Sequence, residues 1–305
     1  MPELSYLARH PVLRKLVVPV TAVVFFVLFL VWTFPYDTLA LRLTAEAQRE
    51  GAELTMGSLG PAGLGGLRAR DVKLRLPPSP NGEPAPEVKL DRADLTPDLF
   101  ALLLRRTSFG FSVDGYGGTI KGHMALSNDP RTPGLTSLRV DARDVDLATL
   151  PMSEFVAGLT VGGKMQLKMD LKSLQPAETA AGDVQLNLDN VAITGSLMGM
   201  TLPKTMLGKL EGGATVDKGV AKLDKTTSRG GDIDADLDGN LLLRPLFSLS
   251  QADLHVRFRP SDHWLDANPN IKGMISLLQN ARQPDGAYLY TLNGPVSRMQ
   301  SRPGK

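Results

Sequence analysis

The 305-residue chain contains no cysteine, which excludes disulfides, thiolate zinc sites and cysteine nucleophiles. Aromatic residues make up only 6% of it, whereas glycine and proline number 30 and 22, a composition that favours strands and turns over a helical bundle. The net charge is only +2, and the excess lies before residue 36, so the rest of the chain is neutral. A neutral body lacks the excess of basic residues that binds nucleic-acid phosphates, and we expect no nucleic-acid partner.

Motifs for catalysis are also missing. The four histidines, His10, His123, His255 and His263, show no metal-ligand spacing, and solvated side chains are the simpler interpretation. The glycine-rich stretch Gly57 to Gly66 lacks the Lys-Ser/Thr of a P-loop, and no G-x-S-x-G occurs. We therefore expect a non-enzymatic protein with no catalytic residue, metal or cofactor. The alternative, an anchored hydrolase or metal enzyme, would have to use His255 or His263.

One acidic segment, "DIDADLDGN", invites a calcium-site interpretation. Asp234, Asp236, Asp238 and Gly239 fit positions 1, 3, 5 and 6 of an EF-hand loop, but position 12 is Pro245 instead of a glutamate. No flanking helices are evident either. Strict alternation of apolar and acidic residues favours a strand with an acidic outer face.

The chain has one long uncharged run, Leu16 to Phe34. At about 1.5 Å per residue it reaches roughly 28 Å, close to the hydrocarbon thickness of a bilayer. A signal peptide has a shorter apolar region and a small-x-small cleavage site, and the best candidate here, Thr38-Leu39-Ala40, is poor. We interpret the run as a retained anchor; a cleaved signal and a buried core helix are the alternatives.

Basic residues before the run set the expected orientation. Arg9, Arg14 and Lys15 precede it, so the positive-inside rule predicts a cytoplasmic segment 1–15, a transmembrane helix 16–34 and a body 37–305 across the membrane. The predicted membrane junction consists of Trp32, Phe34, Pro35, Tyr36 and Asp37.

An amphipathic pattern begins directly after the junction. Pro35 permits a kink or break, Asp37 or Thr38 can cap the start of a helix, and Gly51 can end it. We expect a short helix between the anchor and the body.

Apolar and polar residues alternate along much of the body. This period of two predicts strands with one apolar face and one polar face exposed to solvent, as in antiparallel sheets. The predicted fold class is mainly β: one transmembrane helix followed by a curved, mostly antiparallel sheet with a few short helices. The apolar positions of the clearest strands are Met165, Leu167, Met169, Leu171, Val184, Leu186, Leu188, Ile233, Leu237, Val256 and Phe258.

Helices, a loop and glycine pairs are expected to interrupt the strands. Thr96-Pro97 resembles a cap and first-turn proline before a helix, and further helical patches are predicted near 147–157, 202–210 and 270–282. Segment 76–86 is proline-rich and predicts an exposed loop. Glycine pairs are expected to supply turns or bulges at the starts of strands, at 65–66, 117–118, 162–163, 212–213 and 230–231.

Two arrangements satisfy the same alternation. A sheet that does not close would leave its apolar positions as a candidate groove able to hold a lipid acyl chain. A sandwich would bury them in an ordinary packed core, which is the simpler interpretation of the pattern alone.

Several segments together carry a family resemblance: the apolar run with "FPYDTLALRL" after it, "SLGPAGLGGLRARDVKLRLP", "SRGGDIDADLDGNLLLRPLFSLSQADLHVRFRP" and the closing "DGAYLYTLNGPVSRMQSRP". The chain resembles the type II secretion system protein N family, also called general secretion pathway protein N. That resemblance implies a single bacterial inner-membrane span, a periplasmic β-rich body and a non-enzymatic role in type II secretion. The implied partners are the membrane and other subunits of the secretion machinery.

The chain is also similar to the N-terminal regions of large AsmA-like proteins, whose curved sheets are associated with lipid handling between envelope membranes. This second resemblance implies an alternative function, a lipid-binding or lipid-transfer groove with acyl chains as partners. With roughly a dozen strands at about 4.8 Å each, the sheet would be on the order of 60 Å wide, too short for a bridge across the periplasm.

Overall fold

A computed structural model describes residues 25–26, 29, 31–49, 51–63, 65–75, 87–129, 134–150, 159–197, 200–244 and 249–304. Four short α-helices and fifteen strands are described. In chain order they are α1 (Tyr36–Arg49), β1 (Glu53–Thr55), β2 (Ser58–Ala62), β3 (Gly66–Arg75), β4 (Glu87–Pro97), α2 (Leu99–Leu103), β5 (Thr107–Gly115), β6 (Gly118–Leu126), β7 (Leu135–Asp146), β8 (Leu159–Lys172), β9 (Ala181–Leu197), β10 (Met200–Asp217), β11 (Val220–Arg229), β12 (Ile233–Leu242), β13 (Gln251–Pro260), α3 (Asp262–Ala267), α4 (Pro269–Ile275), β14 (Tyr288–Pro295) and β15 (Gln300–Pro303).

All fifteen strands belong to one antiparallel sheet. From β3 to β15 each strand pairs with the next in sequence, while β1 and β2 both pair with β3. No pairing joins the first strand to the last among the described residues, so the sheet is open. The predictions of a mainly β fold, antiparallel pairing and few short helices are confirmed.

The connections alternate between the two ends of the sheet because the strands run up and down in order. We call the end that carries the β2–β3 turn and α2 the first end, and the end that carries α3 and α4 the second end. Helix α1 contacts both β1 and β2. It therefore runs back beside the edge strand, and its N-terminus points towards the first end.

The glycine pairs supply turns and bulges as predicted, but two of the five pairs lie within strands and not at their starts. Pairs 65–66, 117–118 and 230–231 lie at tight turns between consecutive strands; Gly117, for example, has a φ of +69° that favours glycine. Pairs 162–163 and 212–213 coincide with shifts of register in β8–β9 and β10–β11, which are β-bulges.

The helix predictions have mixed outcomes. The helix after the junction is confirmed, and Gly51 follows its end with a positive φ. The helix near residue 97 exists, but Thr96 and Pro97 belong to β4, and Asp98 is the cap. The patch at 202–210 is wrong, because those residues lie inside β10, where pairing with two neighbouring strands overrides the local pattern.

The helix predicted at 270–282 is confirmed by α4 and a 3-10 helix at Ser276–Ala281. The loop at 76–86 and most of the patch at 147–157 lie outside the described residues.

Buried residues are sparse and local. One buried cluster consists of Ala180, Val216 and Ala221, between the ends of β8 to β11. A second concentration, with Trp264, Ala281 and Ala287, lies in the segment that connects β13 to β14. No single core of packed layers is evident in the part of the chain that the structure describes.

Candidate functional site

Opposite residues in an antiparallel sheet share a face, so the strand registers define rows that cross the sheet. One row crosses eleven strands, from β4 to β14, and each of its residues is apolar or glycine. Its members are Leu95, Phe111, Gly122, Val140, Met169, Val184, Ala214, Leu223, Gly239, Leu254 and Leu292. We call the side of the sheet that this row occupies the apolar face.

The structure places the eleven predicted groove residues on the apolar face. Leu167 is opposite Leu186, Met165 is opposite Leu188, and neighbouring pairs continue the rows. Ile233, Leu237, Val256 and Phe258 occupy the same face of β12 and β13: Leu237 is opposite Val256, and Phe258 is opposite Ala235, two residues from Ile233.

None of the eleven groove residues is buried. Met165, Leu167, Met169, Leu171, Val184, Leu186, Leu188, Ile233, Leu237, Val256 and Phe258 are all half-buried. A packed sandwich core would bury such positions almost completely. These eleven positions are therefore less covered than a packed core would leave them, although Ala142 and Val145, which pair with Leu167 and Met165, are almost fully buried.

Two groove residues have closer partners within the chain. Leu171 packs against the buried cluster that contains Ala180, so the groove is partly filled there. The ring of Phe258 stacks on Tyr288 at a centroid distance of 5.5 Å and on Tyr290 at 6.3 Å.

Strands in the first third of the body also contribute to the apolar face. Phe109, Phe111 and Val113 of β5 share the face with Leu95 of β4. The signal was present in "FGFSV", where apolar residues alternate. Glycine and serine at the alternate positions make this signal weaker than that of strands with charged polar positions.

The opposite side, which we call the polar face, carries charges of alternating sign. One of its rows runs Arg68, Asp94, Ser112, Lys121, Asp141 and Lys168. Nε of Arg68 donates to Oδ1 of Asp94 at 2.8 Å, and Nη2 of Arg143 donates to Oδ2 of Asp141 at 2.7 Å. Charges on this face are thus compensated between and along strands.

Two aspartates on the polar face are held ionised by neighbouring cations. Hydrogen bonds from Arg92 and Arg68 hold the pKa of Asp94 well below its usual range. Burial alone would raise the pKa of Asp236, but the hydrogen bond from Arg229 and the charges of Arg229 and Lys225 outweigh it and lower that pKa. Both carboxylates are therefore neutralised by cations of the protein, and no bound ligand is needed to balance their charge.

The acidic segment "DIDADLDGN" forms the start of β12, which confirms the strand prediction over the EF-hand one. Nδ1 of His255 lies 3.2 Å from Oδ1 of Asp238 on the polar face, and both side chains are exposed. Within the described ranges no group of three or more histidine, aspartate or glutamate side chains is placed to hold a metal ion.

The described part of the junction shows a break at Pro35. Residues 31–33 are helical, Phe34 and Pro35 leave the helix, and α1 begins at Tyr36. Rings of Phe34 and Tyr36 contact each other at a centroid distance of 5.0 Å, and Oη of Tyr36 donates to the carbonyl of Val31 at 3.0 Å.

Trp32, the first residue of the predicted junction, is 90% exposed. The prediction that Asp37 or Thr38 caps this helix is wrong, because α1 begins at Tyr36. Asp37 lies in the first turn instead, where a negative charge is favourable.

Most of the predicted span 16–34, together with segment 1–15, lies outside the described residues. Among the residues that are described, no helix has the length and apolar character needed to cross a bilayer.

No protein-family model matches this chain. Neither a curated protein nor a solved structure shows significant similarity to it. The resemblances to the protein N and AsmA-like families therefore stay predictions from the residues quoted above.

Proposed function

We propose that this chain is a non-enzymatic, membrane-anchored protein of the cell envelope whose apolar face binds lipid acyl chains. The observation that carries the proposal is the row of eleven apolar or glycine residues across β4 to β14, together with the partial exposure of all the groove residues. An apolar surface of this extent on a soluble body marks a binding site. The curved, AsmA-like groove expected from the sequence is part of this proposal.

The dimensions of the row agree with a lipid ligand. Eleven strands at about 4.8 Å spacing make it roughly 50 Å long, whereas the acyl chains of one leaflet span roughly 15 Å. More than one lipid could therefore lie along the face. No charged residue interrupts the row, so an acyl chain would meet no desolvated charge.

The test uses residues 37–305, purified without detergent. Native mass spectrometry should detect co-purified lipid, and a fluorescent fatty acid should bind to the emptied protein. Leu186→Asp should weaken that binding at least about tenfold, because the new carboxylate lies among apolar side chains. Folding should be retained, since Leu186 is only half-buried.

Gln185→Asp provides the matched control, because Gln185 is the neighbouring residue of β9 and is exposed on the polar face. It adds the same charge and should leave lipid binding unchanged. Unfolding by Leu186→Asp would reveal a closed core, in which an unpaired charge is very costly. That result, or a wild-type body that neither retains lipid nor binds the probe, would contradict the proposal.

The second candidate is the role implied by the protein N resemblance, a structural component of the type II secretion machinery. One structural observation favours it: β15 ends the sheet as a short strand whose four residues are all exposed. Such an edge offers free backbone groups with which a strand of another subunit could pair.

Deletion of the gene tests the second candidate. Export of secreted enzymes from the periplasm should fall, and complementation with a chain carrying Ser301→Pro should restore it poorly, because proline removes an N–H from the edge strand. Unchanged secretion with no association with secretion subunits would exclude this role.

A further inference from the structure

Helix α2 presents an apolar tip to solvent. Phe100 is 72% exposed and Leu103 is 78% exposed. A helix this short is not stable by itself, and a cluster of exposed large apolar residues marks a contact site. We call the following five residues the α2 tip: Leu99, Phe100, Leu102, Leu103 and Leu104.

Polar contacts hold the base of α2 in place. The side chain of Asp98 accepts hydrogen bonds from two N–H groups of the first turn, and its own N–H donates to the carbonyl of Ser108 at 2.9 Å. On the exit side, Nδ2 of Asn128 donates to the carbonyl of Arg105, and Thr107 donates to Asn128 at 2.8 Å. The exposure of the tip is thus built into the fold.

The tip lies at the first end of the sheet, near the anchored edge. A Cβ at Gly65, in the β2–β3 turn, would lie 3.8 Å from Cγ of Pro97, which immediately precedes the cap of α2. Helix α1 begins at Tyr36, directly after the predicted span, and its N-terminus points towards the same end. The membrane entry predicted from the sequence and the α2 tip therefore face the same side.

The charges around the tip are complementary to a lipid surface. Arg105 and Arg106 follow the tip directly and are exposed. The one carboxylate of the segment, Asp98, is occupied as the helix cap. Apolar side chains flanked by arginines are typical of segments that sit at the interface of anionic membranes.

We propose that the α2 tip inserts into the interface of the bilayer that holds the N-terminal anchor, as a second membrane contact. Because the tip adjoins the apolar face at Pro97 and Phe109, it brings one end of that face to the lipid surface. The inference rests on the membrane anchorage in the proposed function, but not on whether lipid occupies the apolar face.

The test uses the full chain in vesicles of phosphatidylethanolamine and phosphatidylglycerol. Since the chain has no cysteine, Leu103→Cys gives a single site for an environment-sensitive fluorophore. Doxyl-labelled lipids should reduce its emission at least about twofold, as expected for an interfacial side chain. Replacing Arg105 and Arg106 by glutamate should reduce that quenching.

Leu277→Cys is the matched control, because Leu277 is 81% exposed but lies at the second end of the sheet. Its label should not be quenched. Thr33→Cys, in the predicted anchor, should be quenched and reports that the chain is inserted. Circular dichroism confirms that each variant is folded.

The proposal is overturned if the label at 103 behaves like the label at 277 while that at 33 is quenched. It is also overturned if the label at 33 is not quenched, since the chain is then not anchored, or if Leu103→Cys forms disulfide dimers without quenching, since a second copy then covers the tip. Acyl-chain binding by residues 37–305 is measured without membranes, so failure of the groove and failure of the tip are distinguishable.

Discussion

The apolar and polar faces of this sheet are made of adjacent residues on the same strands. Leu95 follows Asp94, Phe111 precedes Ser112, and Gly122 follows Lys121. On the polar face, charges of opposite sign neutralise one another within the sheet. On the apolar face, the described residues supply cover only in places, and many side chains that would form a core elsewhere stay half-buried.

This difference shows which face needs a partner. On the polar face each charge is paired within the sheet or solvated by water, so this face gains little free energy from binding a partner. The apolar face, by contrast, gains free energy when a partner removes its side chains from water. Three substitutions test how the two faces contribute to stability. They are given in order of decreasing effect on the free energy of unfolding of residues 37–305.

The largest effect is expected from Gly122→Val on the apolar face. A Cβ at Gly122 would lie 2.1 Å from the carbonyl oxygen of Arg139 and 2.5 Å from Cζ of Phe111, so the strands would have to separate. We expect a loss of about 3 kcal/mol or more. Urea unfolding followed by Trp264, the one tryptophan of this fragment and a buried residue, measures it.

Gly60→Ala is the control for this substitution, because a Cβ at Gly60 would have no neighbour within 4 Å. It should change stability by less than about 0.5 kcal/mol. Equal effects of the two changes would show that Phe111 does not cover Gly122 as described.

A smaller effect is expected from Asp236→Asn on the polar face. The Asp236 side chain is only 7% exposed and pairs with Arg229, Arg257 and Lys225. Loss of its charge should cost about 2 kcal/mol. Asp238→Asn, on the same face of the same strand but 54% exposed, should cost less than about 0.5 kcal/mol. Similar losses would mean that burial does not strengthen the Asp236 network.

The smallest effect is expected from Asp94→Asn, on the loss of stability at acidic pH. Because cations lower the pKa of Asp94 in the folded state, its contribution to stability is present above the unfolded pKa of about 4 and is lost as pH falls through the folded value. Asp94→Asn should therefore reduce the loss of stability between pH 7 and pH 3 by less than about 1 kcal/mol.

Leu167→Ala on the apolar face should leave the same pH dependence unchanged, because it removes no titratable group. A comparison of urea midpoints at the two pH values decides between the outcomes. If Asp94→Asn has the full pH dependence of the wild type, Asp94 does not contribute to it.

The sequence alone predicted most strands and which of their residues share a face, because alternation is a local property. The pattern in "KMQLKMDLK" shows which side chains share a face without any knowledge of neighbouring strands. Whether that face is covered depends on contacts between distant segments, so an open sheet and a sandwich remained indistinguishable at that level.

Two features escaped prediction for related reasons. Residues 202–210 contain lysine, leucine and methionine, which suit a helix, but hydrogen bonding to β9 and β11 makes them a strand. The α2 tip was predicted as a helix, but its exposure could not be read from "DLFALLLRR", since the same residues would suit a buried helix equally well.

The pairing of each strand with its neighbour in sequence also has a consequence for biogenesis. Every pairing step from β3 onward closes a connection between consecutive elements, so no strand must wait for a distant segment before it can pair. The sheet can grow in the direction of synthesis, starting beside α1, with one growing edge at any moment. Vectorial folding of this kind limits the time for which apolar strands are exposed to aggregation.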